Sequence, residues 1–145
     1  MSERTVFQSM AQRHVVSVQP TASIYAAACL MTREQCGSVL VIDTTGQLHG
    51  IVTERDMMTR VLAKAKNPQD PVSDIMTRNL TTVVPETKVS QAVVLMIERG
   101  FRHLPVVNAT GKIMGVFSVR DALPREVNDA AQLAEFNSQV NDALG

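Results

Sequence analysis

The sequence predicts a mixed α/β (α+β) fold in which two β-α-β-β-α repeats form one module, with an additional helix at the C-terminus. The first observation is a repeated motif, because residues 50–56, GIVTERD, return as residues 115–121, GVFSVRD. The second is that the same offset of 65 residues (115 − 50) aligns upstream positions, such as Pro20 with Pro85. The third is a hydrophobic content of 45%, which supports a packed core. Two copies are too few for a solenoid, so we expect two halves related by a pseudo-twofold axis.

The first repeat is predicted over residues 6–64, with helices and strands that follow the spacing of apolar residues. Ile24, Ala27 and Met31 recur at the helical period of 3.6 residues. A nearly unbroken apolar run at 38–42 is typical of a buried strand. The predicted order is a leading helix at 5–13, a strand at 15–18, a helix at 22–35, strands at 38–42 and 48–52, and a helix from Thr53.

A linker at residues 65–71, marked by Asn-Pro and Asp-Pro, leads to the second repeat, which is predicted over residues 72–123. Its predicted elements are a helical turn at 72–76, a strand at 80–84, a helix at 86–99, strands at 103–107 and 112–117, and a helix from Ser118 that Pro124 interrupts. Residues 124–145 are assigned to an accessory helix with Asn128 as its expected N-cap. Its inward positions recur three or four residues apart, at Val127, Ala130, Leu133, Phe136 or Asn137, Val140 and Leu144.

Composition and charge argue against several classes of protein. The 14 basic and 14 acidic residues give zero net charge, so we expect no nucleic-acid or membrane partner. The chain has neither an apolar run long enough for a transmembrane helix nor the apolar region of a secretory signal at its N-terminus. Cys29 and Cys36 do not form a CxxC pair, so we expect reduced thiols and a cytoplasmic protein.

The repeated motif places a hydroxyl, an arginine and an aspartate where a strand passes into a helix. Capping alone explains the hydroxyl and the acid three residues later. It does not explain the shared glycine, which permits close approach of a chain or a ligand, or the shared arginine. Amides at a helix start and an arginine fork suit phosphate oxygens, and an aspartate accepts ribose hydroxyls. The motif therefore suits a nucleoside phosphate, with capping as the alternative for each copy.

Three stretches of the chain together resemble a known family, the tandem cystathionine-β-synthase (CBS) domain pair. They are the duplicated Gly-x-x-Thr/Ser-x-x-Asp motif, VSDIMT at residues 72–77 and RHLPVV at residues 102–107. The resemblance implies two units packed through their sheets, pairing of modules into a homodimer, and clefts between the halves that bind adenosyl ligands. The usual ligands in this family are AMP, ADP, ATP and S-adenosylmethionine, and no cofactor is required.

Carried over position by position, the resemblance also implies the ligand-binding residues. The aspartates would take the ribose, the hydroxyls a ribose or phosphate oxygen, and the arginines would lie near phosphate, whereas the short strands would flank the base. For the first cleft these residues are Thr53, Arg55, Asp56, Ser17, Val18 and Val39. For the second cleft they are Ser118, Arg120, Asp121, Arg102, His103, Leu104, Pro105, Thr82 and Val83. The first cleft has Gly37-Ser38 in place of Arg102-His103, so we expect it to be the poorer site.

Catalysis is not expected from this sequence. His103 has no partner cluster and fits a polar residue at a strand start better than a base or metal ligand, and Arg102 also suits a solvated cation at a helix end. There is no nucleophile arrangement, metal site or Walker-type loop. Two function classes remain. One is a regulatory module that senses an adenosyl ligand and acts on a separate effector protein, and the other is a structural dimerisation module without a small ligand.

Overall fold

A computed structural model describes residues 3–11 and 14–144, which fall into two compact units. Unit 1 combines the N-terminal residues up to His14 with the chain from Thr81 onwards, and unit 2 is Val15–Leu80. The predicted end of the leading helix at residue 13 lies outside the described residues, as does the side chain of Leu144.

Unit 2 contains a three-stranded sheet with the order β1-β2-β3. Its elements are β1 (Ser17–Val18), α2 (Ile24–Glu34), β2 (Ser38–Ile42), β3 (Leu48–Thr53), α3 (Glu54–Asp56), a π-helix that continues α3 (Met57–Leu62), and a 3₁₀ turn (Val72–Asp74). β1 is parallel to β2, whereas β2 and β3 form an antiparallel hairpin. The mixed order follows from the chain, because α2 crosses between the parallel pair and a tight turn joins the antiparallel pair.

The core of unit 2 lies between the sheet and the helices, and its buried members recur at the predicted spacing. Ile24, Ala27 and Met31 of α2 are all buried, so the predicted helical face is confirmed. Ser23 caps this helix by accepting a hydrogen bond from the Ala26 amide at 3.0 Å. The apolar run of β2 is buried as predicted. The helix predicted from Thr53 carries the apolar residues Met57, Met58, Val61 and Leu62, and of these only Val61 is buried.

Unit 1 contains α1 (Val6–Ser9), α4 (Val89–Arg99), β4 (His103–Val107), β5 (Ile113–Ser118), a 3₁₀ turn (Val119–Asp121) and α5 (Pro124–Leu144). β4 and β5 form an antiparallel hairpin. Buried side chains of α1, α4 and the hairpin pack around Phe117, with Ala130 of α5 at the edge of this core. The predicted helix and hairpin of the second repeat are therefore present.

The strand predicted at residues 80–84 is wrong, because only one parallel bridge forms there, between Val83 and Val106. It matches the pairing of Val18 with Val41 in unit 2 at the same offset of 65 (83 − 18). In unit 2 the Leu40 amide also donates to the Val16 carbonyl at 3.0 Å. The position equivalent to Leu40 is Pro105, which has no amide hydrogen and cannot donate to such a ladder.

The C-terminal helix starts at Pro124, the first residue assigned to it, so Asn128 lies inside the helix and is not its N-cap. Pro124 opens the helix rather than interrupting one, because proline has the φ angle of a first helical turn and needs no amide partner there. Glu126 completes the start by accepting a hydrogen bond from the Leu123 amide at 2.7 Å. The short 3₁₀ turn before it replaces the helix predicted from Ser118.

The compact units do not coincide with the predicted sequential repeats. α1, placed by the sequence at the start of the first repeat, packs with α4 and β5 in unit 1. The 3₁₀ turn at Val72–Asp74, placed at the start of the second repeat, packs in unit 2. The predicted linker is also part of unit 2, because the Ile24 amide donates to the Asp70 carbonyl at 2.9 Å. The leading segment of the first repeat therefore belongs to unit 1, which contains most of the second repeat, and the leading segment of the second repeat belongs to unit 2. The predicted repeat boundaries stay a prediction.

Candidate functional site

In unit 2 the repeated motif forms a cap at the end of β3. Thr53 is the last residue of that strand, and its hydroxyl accepts a hydrogen bond from the Asp56 amide at 3.3 Å. In return, Asp56 Oδ2 accepts from the Thr53 amide at 2.9 Å and from the Thr53 hydroxyl at 3.1 Å. The capping interpretation is therefore confirmed for this copy. It uses both acceptor positions of one carboxylate oxygen.

The second oxygen of Asp56 faces a basic side chain from the same helix. Arg60 Nε lies 3.5 Å from Asp56 Oδ1, one helical turn further along the chain. The Arg60 guanidinium also donates to the Ile75 carbonyl at 2.9 Å, which fixes it beside the carboxylate. Asp56 is only 7% exposed. In unit 2 the predicted ribose-binding group is therefore buried and already engaged through both of its oxygens.

The glycine of the motif in unit 2 provides room for the protein chain itself. A Cβ at Gly50 would lie 2.7 Å from the Thr77 carbonyl oxygen and 2.8 Å from Met76 Sδ. The neighbouring Ile51 pairs with Thr77 in an isolated antiparallel bridge. The close approach predicted from this glycine is therefore made by residues 76–77.

In unit 1 the motif lies at the end of the hairpin where β4 begins and β5 ends. His103 pairs with Ser118 across the two strands, and the Val119 amide donates to the Arg102 carbonyl at 3.0 Å. The backbone thus brings Arg102 and His103 beside Ser118, as the sequence predicts. The Ser118 hydroxyl accepts from the Arg120 amide at 3.2 Å, and Asp121 Oδ2 accepts from the Ser118 amide at 3.0 Å. Capping is therefore confirmed for this copy as well.

The second oxygen of Asp121 is bonded to a segment from the beginning of the chain. The Ala11 amide donates to Asp121 Oδ1 at 3.3 Å, in an exposed position. The Arg4 guanidinium donates to the backbone carbonyl of Asp121 at 3.0 Å. The Oδ1 atoms of the two aspartates thus have different neighbours, a backbone amide at Asp121 and the Arg60 guanidinium at Asp56.

Arg4 is itself held by a carboxylate of α5. Its Nη2 lies 2.7 Å from Glu126 Oε1 and its Nε lies 3.2 Å from Glu126 Oε2, so the two groups pair through two bonds. The hydrogen bond from Arg4 lowers the pKa of Glu126, and the same bond raises the pKa of Arg4. Both groups are therefore charged at neutral pH. The pair joins the N-terminal segment, the 3₁₀ turn and the start of α5.

The remaining predicted site residues occupy two kinds of position. The side chains of Val39 and Leu104 are completely buried in the cores of their units. Val18, Val83 and Pro105 lie at the strand pairings, with Val83 and Pro105 buried. Exposed positions are occupied by Ser17, Thr82, Arg55, Arg102 and Arg120. Their roles toward a base or phosphate stay predictions.

The structure adds three groups that sequence analysis did not identify. Arg60 lies four residues after Asp56, so helical spacing contained the signal for it. Arg4 and the Ala11 amide lie more than 100 residues from Asp121 along the chain. Nothing in the local pattern around Ala11 or Arg4 marks them, because their partner is reached only through the tertiary packing of α1.

The described part of the chain lacks two features, a cluster of metal-ligating side chains and a membrane-spanning helix. Among residues 3–11 and 14–144, no group of three or more His, Cys, Asp or Glu side chains is arranged to hold a metal ion. Within the same residues, no helix is long and apolar enough to cross a membrane.

Comparison with known proteins identifies both halves of the chain. The family model described as "CBS domain" matches residues 7–63 and residues 72–127. An uncharacterised protein of Methanopyrus kandleri is 34% identical over 93% of this chain and 69% of its own length. An uncharacterised 17.7 kDa protein of Acidianus ambivalens is 36% identical over 97% of this chain and 84% of its own.

Solved structures with the same fold include proteins with described ligands or assemblies. A putative signal-transduction protein with CBS domains from Burkholderia ambifaria matches with a TM-score of 0.75 at 33% identity, over 81% of this chain and 90% of its own. A CBS domain protein of Pyrobaculum aerophilum, solved in complex with AMP, matches with a TM-score of 0.78 at 25% identity, over 89% of this chain and 99% of its own. A hexameric CBS-CP12 protein from bloom-forming cyanobacteria matches with a TM-score of 0.75 at 26% identity, over 82% of this chain and 66% of its own. With both halves of its sequence matched and its fold shared, the chain belongs to the CBS domain family and carries two CBS domains in tandem.

Proposed function

We propose that this protein is a regulatory module that binds an adenosyl ligand, with AMP, ADP, ATP and S-adenosylmethionine as candidates, and acts on a separate effector protein. The observation that carries the proposal is the Asp121 carboxylate, oriented at the end of the β4-β5 hairpin beside Arg102, Arg120 and Ser118. The AMP complex of the Pyrobaculum aerophilum relative supports this ligand class.

The two units should not bind equally well. Among the described residues, one backbone amide donates to each oxygen of Asp121, which leaves one acceptor position on each oxygen for a ribose hydroxyl. Asp56 has one oxygen saturated by Thr53 and the other beside Arg60. A ligand would have to displace Arg60 in unit 2, whereas in unit 1 it only adds to existing bonds. We therefore place the stronger site in unit 1.

Isothermal titration with the four adenosyl compounds tests this proposal. Asp121→Asn should weaken binding by about tenfold to a hundredfold, because a hydrogen bond to a charged group is worth roughly 1.5–3 kcal/mol. Asp56→Asn, the matched control in unit 2, should weaken the same binding event by much less. Absence of heat from the wild type with all four compounds, or equal binding by Asp121→Asn, would contradict the proposal.

The titration needs a measurement of stability beside it, because both aspartates are also caps. Losing a helix cap costs roughly 1 kcal/mol of folding free energy. The asparagine side chain retains an oxygen that can accept the Ser118 amide, so Asp121→Asn should lower the melting temperature only slightly. A large drop in melting temperature would mean that weaker binding reflects unfolding, and the affinities would then be compared well below the transition.

A structural dimerisation module without a small ligand is the second candidate function, and exposed apolar side chains favour it. Tyr25 of α2, Ile97 of α4, and Met58 and Leu62 after α3 are large and exposed. Apolar side chains grouped on helices commonly mark an interface. We propose a homodimer for either function. Light scattering should report a dimer at micromolar concentration, and a monomer with and without AMP would contradict it.

The proposal assigns no reaction to this protein. Stand-alone members of the CBS family are generally regulatory rather than catalytic, and the proposed site contains groups that bind a ligand without a nucleophile beside it. The effector protein and the cytoplasmic location predicted from the sequence stay predictions.

A further inference from the structure

The site of unit 1 includes a segment of the chain that neither the repeat nor the motif indicates. Four hydrogen bonds connect residues 4 and 11 to Asp121 and Glu126. Arg4 donates to the Asp121 carbonyl at 3.0 Å and to Glu126, five residues further on, and the Ala11 amide donates to Asp121 Oδ1 at 3.3 Å. The backbone and the side chain of one residue are thus both held by the N-terminal segment.

The N-terminal segment is anchored firmly enough to orient another group. Val6 and Met10 are buried in the core of unit 1. The Val6 amide donates to the Thr87 carbonyl at 2.7 Å, and the Arg4 carbonyl accepts from the Val89 amide at 3.0 Å. Ala11 directly follows the buried Met10, so its amide is presented to Asp121 from a fixed position.

Arg4 is also fixed at its far end. Glu126 is 7% exposed and accepts two bonds from the Arg4 guanidinium and one from the Leu123 amide. A guanidinium held by two parallel bonds to a carboxylate has little rotational freedom. The second hydrogen of Nη2 therefore points at the Asp121 carbonyl in a set direction.

We propose that Arg4, oriented by Glu126, and the Ala11 amide are positioning groups for the ligand site of unit 1, and that they act through Asp121. This inference rests on the proposed function. The Ala11 amide and the Ser118 amide each occupy one acceptor position of the carboxylate, one on each oxygen, and among the described residues the other two positions are left for the hydroxyls of a diol. Binding energy is then not spent on ordering the carboxylate.

The coupling between the N-terminal segment and the ligand must act in both directions. If the N-terminal segment raises the affinity of Asp121 for a ligand, the bound ligand must stabilise that segment by an equal free energy. The chain continues from Ala11 to Val15, the first residue of unit 2. The segment that senses the ligand in unit 1 is thus also the covalent lead into unit 2.

Unit 2 offers a matched control, because its aspartate is positioned by local residues. Thr53 and Arg60 lie within four residues of Asp56 along the chain. Among the described residues, the side-chain partners of Asp56 are Thr53 and Arg60, and neither Arg4 nor Ala11 contacts it. An effect of Arg4 on ligand binding should therefore depend on Asp121 and be independent of Asp56.

A double-mutant cycle measured by isothermal titration with AMP tests the inference. Arg4→Gln should weaken AMP binding by about tenfold, and Arg4→Lys, which keeps the charge, should restore part of the loss. Arg4→Gln combined with Asp121→Asn should bind no more weakly than Asp121→Asn alone, because Arg4 acts through Asp121. Arg4→Gln combined with Asp56→Asn should show the sum of the two single effects.

The Ala11 amide is tested by a pair of substitutions at one position. Ala11→Pro removes the amide hydrogen and should weaken AMP binding by about twofold to tenfold, whereas Ala11→Gly keeps it and should bind like the wild type. The ψ angle of 123° at Met10 suits a residue that precedes proline. In the wild type, AMP should slow amide exchange over residues 3–11, and in Asp121→Asn it should not.

The outcomes separate this inference from the proposed function. If the wild type binds AMP but Arg4→Gln binds equally well, or if the Arg4 and Asp121 losses add, the positioning role is overturned and the proposed function stands. If the wild type binds none of the four adenosyl compounds, the proposed function fails, and this inference fails with it. Thermal melts of every variant identify those whose lost affinity is only lost folding.

Discussion

Unit 1 and unit 2 carry the same motif pattern but surround its aspartate differently. Asp56 is buried, with one oxygen saturated by Thr53 and the other 3.5 Å from Arg60. Asp121 is half-buried and bonded to two backbone amides, one of them from the opposite end of the chain. A hydroxyl and an aspartate at the same spacing therefore define a cap in both units, whereas the neighbours decide whether acceptor positions remain for a ligand.

A single proline explains much of this difference. Arg125 is the residue equivalent to Arg60 at the offset of 65 (125 − 60). In unit 2, α3 continues without a break into the π-helix, so Arg60 stays one turn from Asp56. In unit 1, Pro124 starts a new helix after the 3₁₀ turn, and Arg125 becomes part of its first turn. At Asp121, Oδ1 instead accepts from the Ala11 amide of the N-terminal segment, where Asp56 Oδ1 faces Arg60.

The largest difference we can test lies in the two cores. Phe117 of β5 is completely buried at the centre of unit 1, and the equivalent position in unit 2 is the smaller Val52, also completely buried. Phe117→Ala should lower the free energy of unfolding by about 3–5 kcal/mol, because it leaves a large cavity. Val52→Ala removes fewer atoms and should cost clearly less. Chemical denaturation of both variants measures the two values.

Amide exchange shows where each loss acts. Phe117→Ala should speed exchange in β4, β5 and α4, whereas Val52→Ala should act first on β2 and α2. Equal destabilisation by the two substitutions would contradict the idea that unit 1 depends on one large aromatic side chain.

The parts of the fold that sequence analysis predicted are those set by local patterns. Helical spacing identified α2 and α4, and apolar runs identified β2 and β4. The turn residues that follow β2 and β4 identified the two hairpins. The repeated motif placed Thr53 and Ser118 at the start of their helical turns. Each of these features depends on residues within a few positions of one another.

The glycines of the motif provide the second test. Gly50→Ala would place a Cβ 2.7 Å from the Thr77 carbonyl oxygen, and we expect a loss of about 1–3 kcal/mol. Met76 is a flexible neighbour, but the Thr77 oxygen belongs to the backbone. Trimming the side chain in a Gly50→Ala/Met76→Ala variant should therefore not restore the packing at this position. The double variant is compared with Met76→Ala alone in thermal melts.

The mirror position in unit 1 sharpens this test. Gly115 has a φ angle of 142°, which side chains rarely adopt. Gly115→Ala should therefore also destabilise, for a reason of backbone angle rather than contact. If Met76→Ala fully rescues Gly50→Ala, the close approach of residues 76–77 is not what requires this glycine.

The features that sequence analysis missed depend on residues that are distant in sequence or on one exceptional residue. The strand predicted at 80–84 has suitable residues, but its partner Pro105 cannot donate to it. The start of α5 depends partly on Glu126, whose other partner, Arg4, is 122 residues away. The exchange of leading segments between the units depends on tertiary packing, since α1 and the turn at Val72–Asp74 look alike locally. Pro124 before Glu126 was a usable signal for the helix start.

The smallest expected difference concerns the two hairpin turns and depends on pH. Asp43 and Asn108 occupy equivalent positions and build the same turn, each accepting two backbone amides through Oδ1. Asp43 Oδ2 also lies 2.6 Å from His49 Nε2, whereas Asn108 faces Met114. Hydrogen bonds, first from the Thr45 hydroxyl and then from His49, hold the pKa of Asp43 well below its ordinary value of 3.8.

The direction of the effect follows from that lowered pKa. A carboxyl group whose pKa falls on folding stabilises the folded state at pH values above its unfolded pKa, and this contribution is lost as the pH falls below 3.8 toward the folded value. The turn of unit 2 should therefore loosen in acid in a way that the turn of unit 1 does not. Asp43→Asn should reduce the acid dependence of amide exchange at Thr45 and Gln47, and Asn108→Asp should introduce such a dependence at Thr110 and Lys112. Because Asp43 is only partly buried, the change in overall stability should be small, so the local exchange rates are the decisive measurement. If Asp43→Asn leaves the acid profile of its own turn unchanged, the carboxylate is not what distinguishes the two hairpins.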